Sequence, residues 1–98
     1  MAQVLTSKNL DEIMKTLKEY GIEAEINGSE VKIPGLVTHI TLSYGELTMI
    51  EGDFEIQFSN ISKRLWIYNE KKGEPLEIYF PKKSIASYHN GYLRILIL

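Results

Sequence analysis

Apolar residues recur along this chain in two rhythms, one after the other. Near the start, Leu10, Ile13, Met14 and Leu17 fall three and four positions apart, the spacing of one helical face. The spacing predicts a helix over 7–20. Thr6 stands where an N-cap is needed, and Leu5 and Leu10 can close a hydrophobic staple across it. Asp11 and Glu12 occupy the first turns, where the helix dipole favours anions. Gly21 can end the helix in a left-handed conformation. The stripe is narrow and one-sided, so this helix should cover the face of a sheet. Its polar side is not mainly Lys and Arg, which argues against a membrane-surface role.

After Gly21 the period changes to two, the strand period. Ile22 to Ile26 alternates, Asn27-Gly28 reads as a turn, and Val31 to Ile33 answers. A two-residue loop there would pair Ala24 with Val31 and Ile22 with Ile33 on one face, and Glu23 with Lys32 and Glu25 with Glu30 on the other. Pro34-Gly35 breaks the run. A strand over 36–44 follows, with Leu36, Ile40, Leu42 and Tyr44 expected on one side, and Leu47 to Ile50 returns after Gly45. Gly52-Asp53 turns into Phe54, Ile56 and Phe58. Leu65 and Ile67 oppose Trp66 and Tyr68 on the next strand, and Leu76, Ile78 and Phe80 form a further inward row ended by Pro81. The last stretch turns at Asn90-Gly91, a dipeptide suited to two successive positive φ angles. It should pair Tyr88 with Leu93, Ala86 with Ile95, and His89 with Tyr92. The arm Tyr92 to Leu98 is apolar on both faces except for Arg94. Such a strand must lie inside a sheet or pair with another chain. The fold expected is α+β, mostly β. One N-terminal helix precedes an antiparallel meander or sandwich of about eight short strands spanning 22–98.

Composition narrows the classes. The chain has 98 residues, 44% of them hydrophobic, enough for one domain (1–98) with its own core. The absence of cysteine excludes disulfides, zinc–thiolate sites and thiol catalysis. The richness in Ile, Glu and Lys leans towards a thermophile. No apolar run is long enough to span a bilayer, and Met1 to Leu5 lacks the features of a signal peptide. A cytoplasmic protein with no membrane partner is the expectation. The net charge of −2 hides an asymmetry: residues 1–50 carry four lysines against seven acids, and residues 60–98 carry seven Lys/Arg against three glutamates.

The chemistry sought is mostly missing. No glycine loop for a nucleotide, no G-x-S-x-G and no H-E-x-x-H is present. His39 and His89 lack metal-ligand spacing to another donor and read as structural strand residues. Glu51, Asp53 and Glu55 share a parity that could line up three carboxylates for a hard cation, but the turn at Gly52-Asp53 should scatter them. No catalytic, cofactor-binding or metal-ligating residue is assigned, and no enzyme is expected. Trp66 and Tyr68 could form a stacking platform for single-stranded nucleic acid, bordered by Lys63, Arg64, Lys82, Lys83 and Arg94. The aromatic run of RNA-recognition sheets is absent.

Three segments carry a family resemblance. ASYHNGYLRI resembles the A-x-x-x-N-G-V-L signature that closes the alpha-crystallin domain of the small heat-shock proteins. Ala86, Gly91 and Leu93 match its fixed positions, with Tyr92 in place of the usual valine. KIPGL followed by ITLSYGELTM is similar to that family's L-P-G-V, I-x-V strand and G-x-L-T-I, matched in type at Pro34, Gly35, Ile40, Leu47 and Thr48. Phe80-Pro81 stands where the family has Leu-Pro. The gaps from Gly35 to Leu47 and from Pro81 to Ala86 are shorter than in the family. The resemblance implies an immunoglobulin-like sandwich that dimerises, uses no cofactor and holds unfolding clients by apolar grooves and edge strands. The family's I-x-I motif is spelled by Ile95-Leu96-Ile97, but inside the hairpin arm rather than in a tail. A dimeric, non-enzymatic, ATP-independent interaction module is therefore expected in place of a large assembly. Ile78, Phe80, Leu93, Ile95 and Ile97 are its expected partner-binding surface.

Overall fold

The computed structural model describes residues 3–41 and 45–98. Among them ten strands and one α-helix form: β1 (Gln3–Thr6), α1 (Leu10–Tyr20), β2 (Glu25–Asn27), β3 (Glu30–Pro34), β4 (Leu36–Thr41), β5 (Glu46–Glu51), β6 (Phe54–Ser59), β7 (Arg64–Asn69), β8 (Leu76–Tyr79), β9 (Ile85–His89) and β10 (Tyr92–Leu96). One sheet has the order β1-β8-β7-β6-β5-β4 and the other β2-β3-β10-β9. All neighbours are antiparallel except β1 and β8. Alternate residues of both sheets meet in one apolar cluster with Ile13, Leu17 and Tyr20 of α1. The chain is thus mostly β with one helix, as the periodicity predicts.

The start differs from expectation. Gln3–Thr6 is a strand, paired parallel to β8 with Leu5 opposite Ile78, so a strand and not the helix comes first. The helix begins at Leu10 rather than residue 7, and its N-cap is Asn9, not Thr6. The Asn9 carboxamide oxygen accepts from the amides of Asp11 (2.9 Å) and Glu12 (3.2 Å). Asn is at least as good a cap as Thr, and here it also frees Leu5 to pack as a strand residue. The C-terminal end is as expected: Gly21 adopts φ 106° and its amide donates to the carbonyls of Leu17 and Lys18.

The first hairpin slips by one turn position. Gly28 and Ser29 form the loop, so Asn27 faces Glu30, Ile26 faces Val31 and Glu25 faces Lys32. Each face keeps its residues, because both sides of the pairing shift together. The like-charge pair Glu25–Glu30 is replaced by Glu25–Lys32, whose charged groups lie 4.0 Å apart. The last hairpin forms as expected, with Tyr88 opposite Leu93, Ala86 opposite Ile95 and His89 opposite Tyr92. Asn90 (φ 52°) and Gly91 (φ 81°) make its turn. β10 lies between β3 and β9, which satisfies the demand of its apolar arm within this chain.

β4 departs from simple alternation. Val37 faces Met49 but His39 faces Thr48, so Thr38 is an extra residue in a bulge. The bulge flips the parity: Leu36 points outward with Ile50, while Ile40 points inward with Leu47. Leu36 and Ile40 therefore do not share a face; Leu42 and Tyr44 lie outside the described residues. Just before β4 the chain passes from one sheet to the other at Pro34-Gly35. The Gly35 amide donates to the Gly91 carbonyl (3.0 Å), and its carbonyl accepts from the Tyr88 hydroxyl (2.5 Å). A Cβ on Gly35 would stand 2.7 Å from the Met49 sulfur, so a larger residue at this crossing would have to displace the buried Met49 side chain.

Tyr20 ties the end of α1 to the β7–β8 connection. Its hydroxyl donates to the Glu74 carbonyl (2.6 Å) and its ring meets Phe54 at 6.0 Å between centroids. Burial pushes its pKa up, with smaller raising contributions from Tyr68 and Glu74 against a lowering bond to the Asn69 backbone. The folded state therefore favours the neutral phenol. That contribution is complete below the unfolded pKa of about 10 and is lost as pH rises through the folded value. Tyr20→Phe should cost about 1 kcal/mol at neutral pH. Urea unfolding above pH ~10 should show the gap between variant and parent narrowing, and a gap that widens would contradict the assignment.

Candidate functional site

The apolar residues expected to bind a partner are placed inside the fold. Ile78 and Ile95 are fully buried, Leu93 is 1% and Phe80 5% exposed. Phe80 meets Phe58 edge-on at 6.1 Å between centroids. Ile97 is half-buried against the same cluster, and its amide donates to the Ser29 carbonyl (2.9 Å). In this fold the inward side of these strands is covered by the opposite sheet of the same chain, and of the five residues only Ile97 keeps part of its surface accessible.

The residues of the proposed nucleic-acid platform are dispersed. Arg64, Trp66 and Tyr68 alternate with buried Leu65 and Ile67 and lie on the outer face of the six-stranded sheet. The Trp66 and Tyr68 rings stack, 5.8 Å apart and 21° from parallel. Glu55 sits opposite Tyr68, and Gln57 and Glu77 flank Trp66 on either side. The Arg64 guanidinium is held by Glu77 (2.5 Å), and Glu55 accepts from Gln57 (3.1 Å). The stack is therefore bordered by carboxylates. Lys63 lies in the β6–β7 turn, where its carbonyl accepts from the Phe80 amide (2.9 Å). That places it at the same end of the molecule as Lys82 and Lys83. Arg94 is on the other sheet, opposite Lys32, with Glu30 at 3.9 Å.

Among the described residues, the two histidines and the acidic side chains of the β5–β6 region stand apart from one another. His39 shares a 2.9 Å hydrogen bond with Thr41, and His89 ends β9 opposite Tyr92. Gly52-Asp53 is the β5–β6 turn, so Glu51 and Glu55 belong to different strands and different faces; Asp53 instead pairs with Lys71 at 3.2 Å. Among the described residues no three His, Asp or Glu side chains cluster as a metal site would require. A surface hollow lies between the end of α1, β2 and Glu51, and its rim mixes Lys18 with Glu23, Glu25 and Glu51.

What distinguishes this molecule is the state of its four sheet edges, because an open edge presents a row of unpaired backbone groups. β2 has three residues, one of them Glu25. β1 has four. β9 has five, but the Asn60 side chain closes it: its carbonyl oxygen accepts from the Ala86 amide (3.2 Å) and its NH2 donates to the Ala86 carbonyl (3.5 Å). The carboxamide thus does the work of a neighbouring strand. β4 is six residues long, carries no formal charge, and ends its sheet. Beside it Leu36 is 71%, Ile40 53% and Ile50 47% exposed. Sequence reasoning missed both Asn60 and β4. For β4 the signal was present: no Asp, Glu, Lys or Arg occurs between Lys32 and Glu46. For Asn60 there was none, since its contact spans 26 residues.

No protein-family model, curated protein or solved structure matches the chain.

Asn60→Ala should cost about 1–3 kcal/mol, the penalty for leaving a partly buried donor and acceptor unpaired. Hydrogen exchange should locate the loss: the Ala86 amide should exchange faster by more than the global stability change explains. Unchanged protection at Ala86 would mean that Asn60 does not guard this edge.

Proposed function

We propose that this protein is a non-enzymatic, ATP-independent interaction module that takes up an extended polypeptide segment as an added strand beside β4. The observation that carries the reading is the contrast among edges: β2 is short and charged, β9 is closed by Asn60, and β4 is long, uncharged and flanked by exposed Leu36, Ile40 and Ile50. Strand addition takes its affinity from main-chain hydrogen bonds and its selectivity from alternate side chains. An uncharged edge with apolar neighbours suits an apolar or uncharged segment, such as one exposed in an unfolding protein. This keeps the chaperone-like expectation and moves its surface from the strand interiors to the rim. It agrees with the resemblance to alpha-crystallin domains, whose members use sandwich edges in this way.

Single-stranded nucleic-acid binding has less support. Carboxylates border the Trp66–Tyr68 stack, Arg64 is engaged by Glu77, and Arg94 belongs to the other sheet. Phosphate binding needs unpaired cations along one track.

A heated client protein provides the test. The unmodified chain should suppress its aggregation without ATP, and Ile40→Lys should weaken suppression by about tenfold, since an edge lysine disfavours strand pairing. Ile40 is more than half exposed, so the variant should keep its melting temperature within a few degrees. Equal protection by parent and variant would remove β4 from the mechanism, and no protection by either would remove the chaperone-like reading.

A further inference from the structure

We infer that the strand added beside β4 is β4 of a second copy, antiparallel, with Val37 of each copy opposite Ile40 of the other. This rests on the strand-addition reading of the same edge and names the strand that occupies it at rest, which a client segment has to displace.

The register follows from the bulge. Because Thr38 is the extra residue, Leu36, His39 and Thr41 point outward with Ile50, Thr48 and Glu46, whereas Val37 and Ile40 point inward with Met49 and Leu47. A strand joining a sheet must match faces, since a slip of one residue exchanges them. With a two-fold axis between Thr38 and His39, Val37 meets Ile40 of the copy inward, and Leu36 meets Thr41 of the copy outward. Moving the register by one residue either way sets Val37 against His39 or Thr41, an inward side chain against an outward one. The face pattern of β4 is thus self-complementary in one near-central register.

The chemistry agrees. Two copies of a charged edge would repel, but β4 carries no charge. Val37 already packs on the core, while Ile40 lies at its margin, 53% exposed and outside the packed cluster. Pairing them twice across the axis carries each core over the junction and covers both isoleucines. The two outward-facing sheet faces stay on one side, forming a twelve-stranded sheet from two six-stranded ones. The contact is isologous, so it consumes both β4 edges and closes at two copies. The bulge, the one blunting device on this edge, sits beside the axis in both copies and bends them alike.

The lack of native cysteine makes the test clean. Directly opposed residues in an antiparallel pair have Cβ atoms about 4.5–5.5 Å apart, close to disulfide reach. Val37→Cys combined with Ile40→Cys should convert on mild oxidation to a covalent dimer, while Val37→Cys combined with Thr41→Cys should give little. Sedimentation of the unmodified chain should show a dimer, and Ile40→Lys should raise its dissociation constant at least about tenfold. A monomer at ~100 μM that still binds a synthetic uncharged β-strand peptide in an Ile40-dependent way would overturn the second-copy assignment and leave strand addition standing. A dimer unaffected by Ile40→Lys, or one that cross-links instead through Val4→Cys on β1, would overturn the assignment too. A monomer that binds no such peptide would overturn both.

Discussion

The rest of the structure depends on a shared layer: two sheets and one helix bury their apolar sides against one another and have nothing else to cover them with. Ile13, Leu17, Val31, Ile33, Met49, Ile56, Leu65, Ile67, Leu76, Ile78, Leu93 and Ile95 are all essentially inaccessible. Each such side chain stabilises the fold by about 1.5–3 kcal/mol relative to exposure. Large apolar side chains that this core does not take up, among them Leu36, Ile40 and Ile50, stay exposed. What remains outside is the sheet rims, the turns and a polar outer face, and any interaction has to be made from those.

The same constraint explains which parts of the fold were legible. The β6, β7 and β8 rows read correctly because strict alternation against a buried face admits only one set of inward residues. The Asn90-Gly91 hairpin read correctly to the residue, because its backbone angles are available to few other pairs. The start of the chain misled because Thr6 and Asn9 are both competent caps. The choice between them is made far away, by β8 accepting Leu5 as a neighbour of Ile78. A parallel pairing across 73 positions leaves no local mark. The bulge at Thr38 is similar: nothing in Leu36–Thr41 announces it, and it reverses the side on which Leu36 lies.

The candidate site was legible in a different way. Strong apolarity in Ile78, Phe80, Leu93 and Ile95 was read as surface, although such residues are more often buried. The apolar last strand has to lie inside a sheet or pair with another chain, and β3 and β9 meet the first of those alternatives from within. The useful signal was the absence of charge between Lys32 and Glu46 in a chain where charged residues make up 24%. It names no chemistry, and it gains meaning only once β4 is known to end its sheet. Aromatic residues were a weaker guide, because whether Trp66 and Tyr68 attract phosphate depends on Glu55 and Glu77, which only the cross-strand register brings beside them.

Two edges of this molecule make the comparison that bears most on function. β9 and β4 are of similar length, and both lack Lys, Arg, Asp and Glu. At β9 the side chain of Asn60, in the turn between β6 and β7, supplies one donor and one acceptor to the same residue, which is what a pairing strand would do. Closing an edge therefore takes a single well-placed carboxamide, and the fold provides one. At β4 it does not, and it leaves Ile40 pointing inward with its outer half bare. Edge protection is a common feature of sheet proteins, and its presence on β9 but not on β4 is the contrast on which the strand-addition proposal rests.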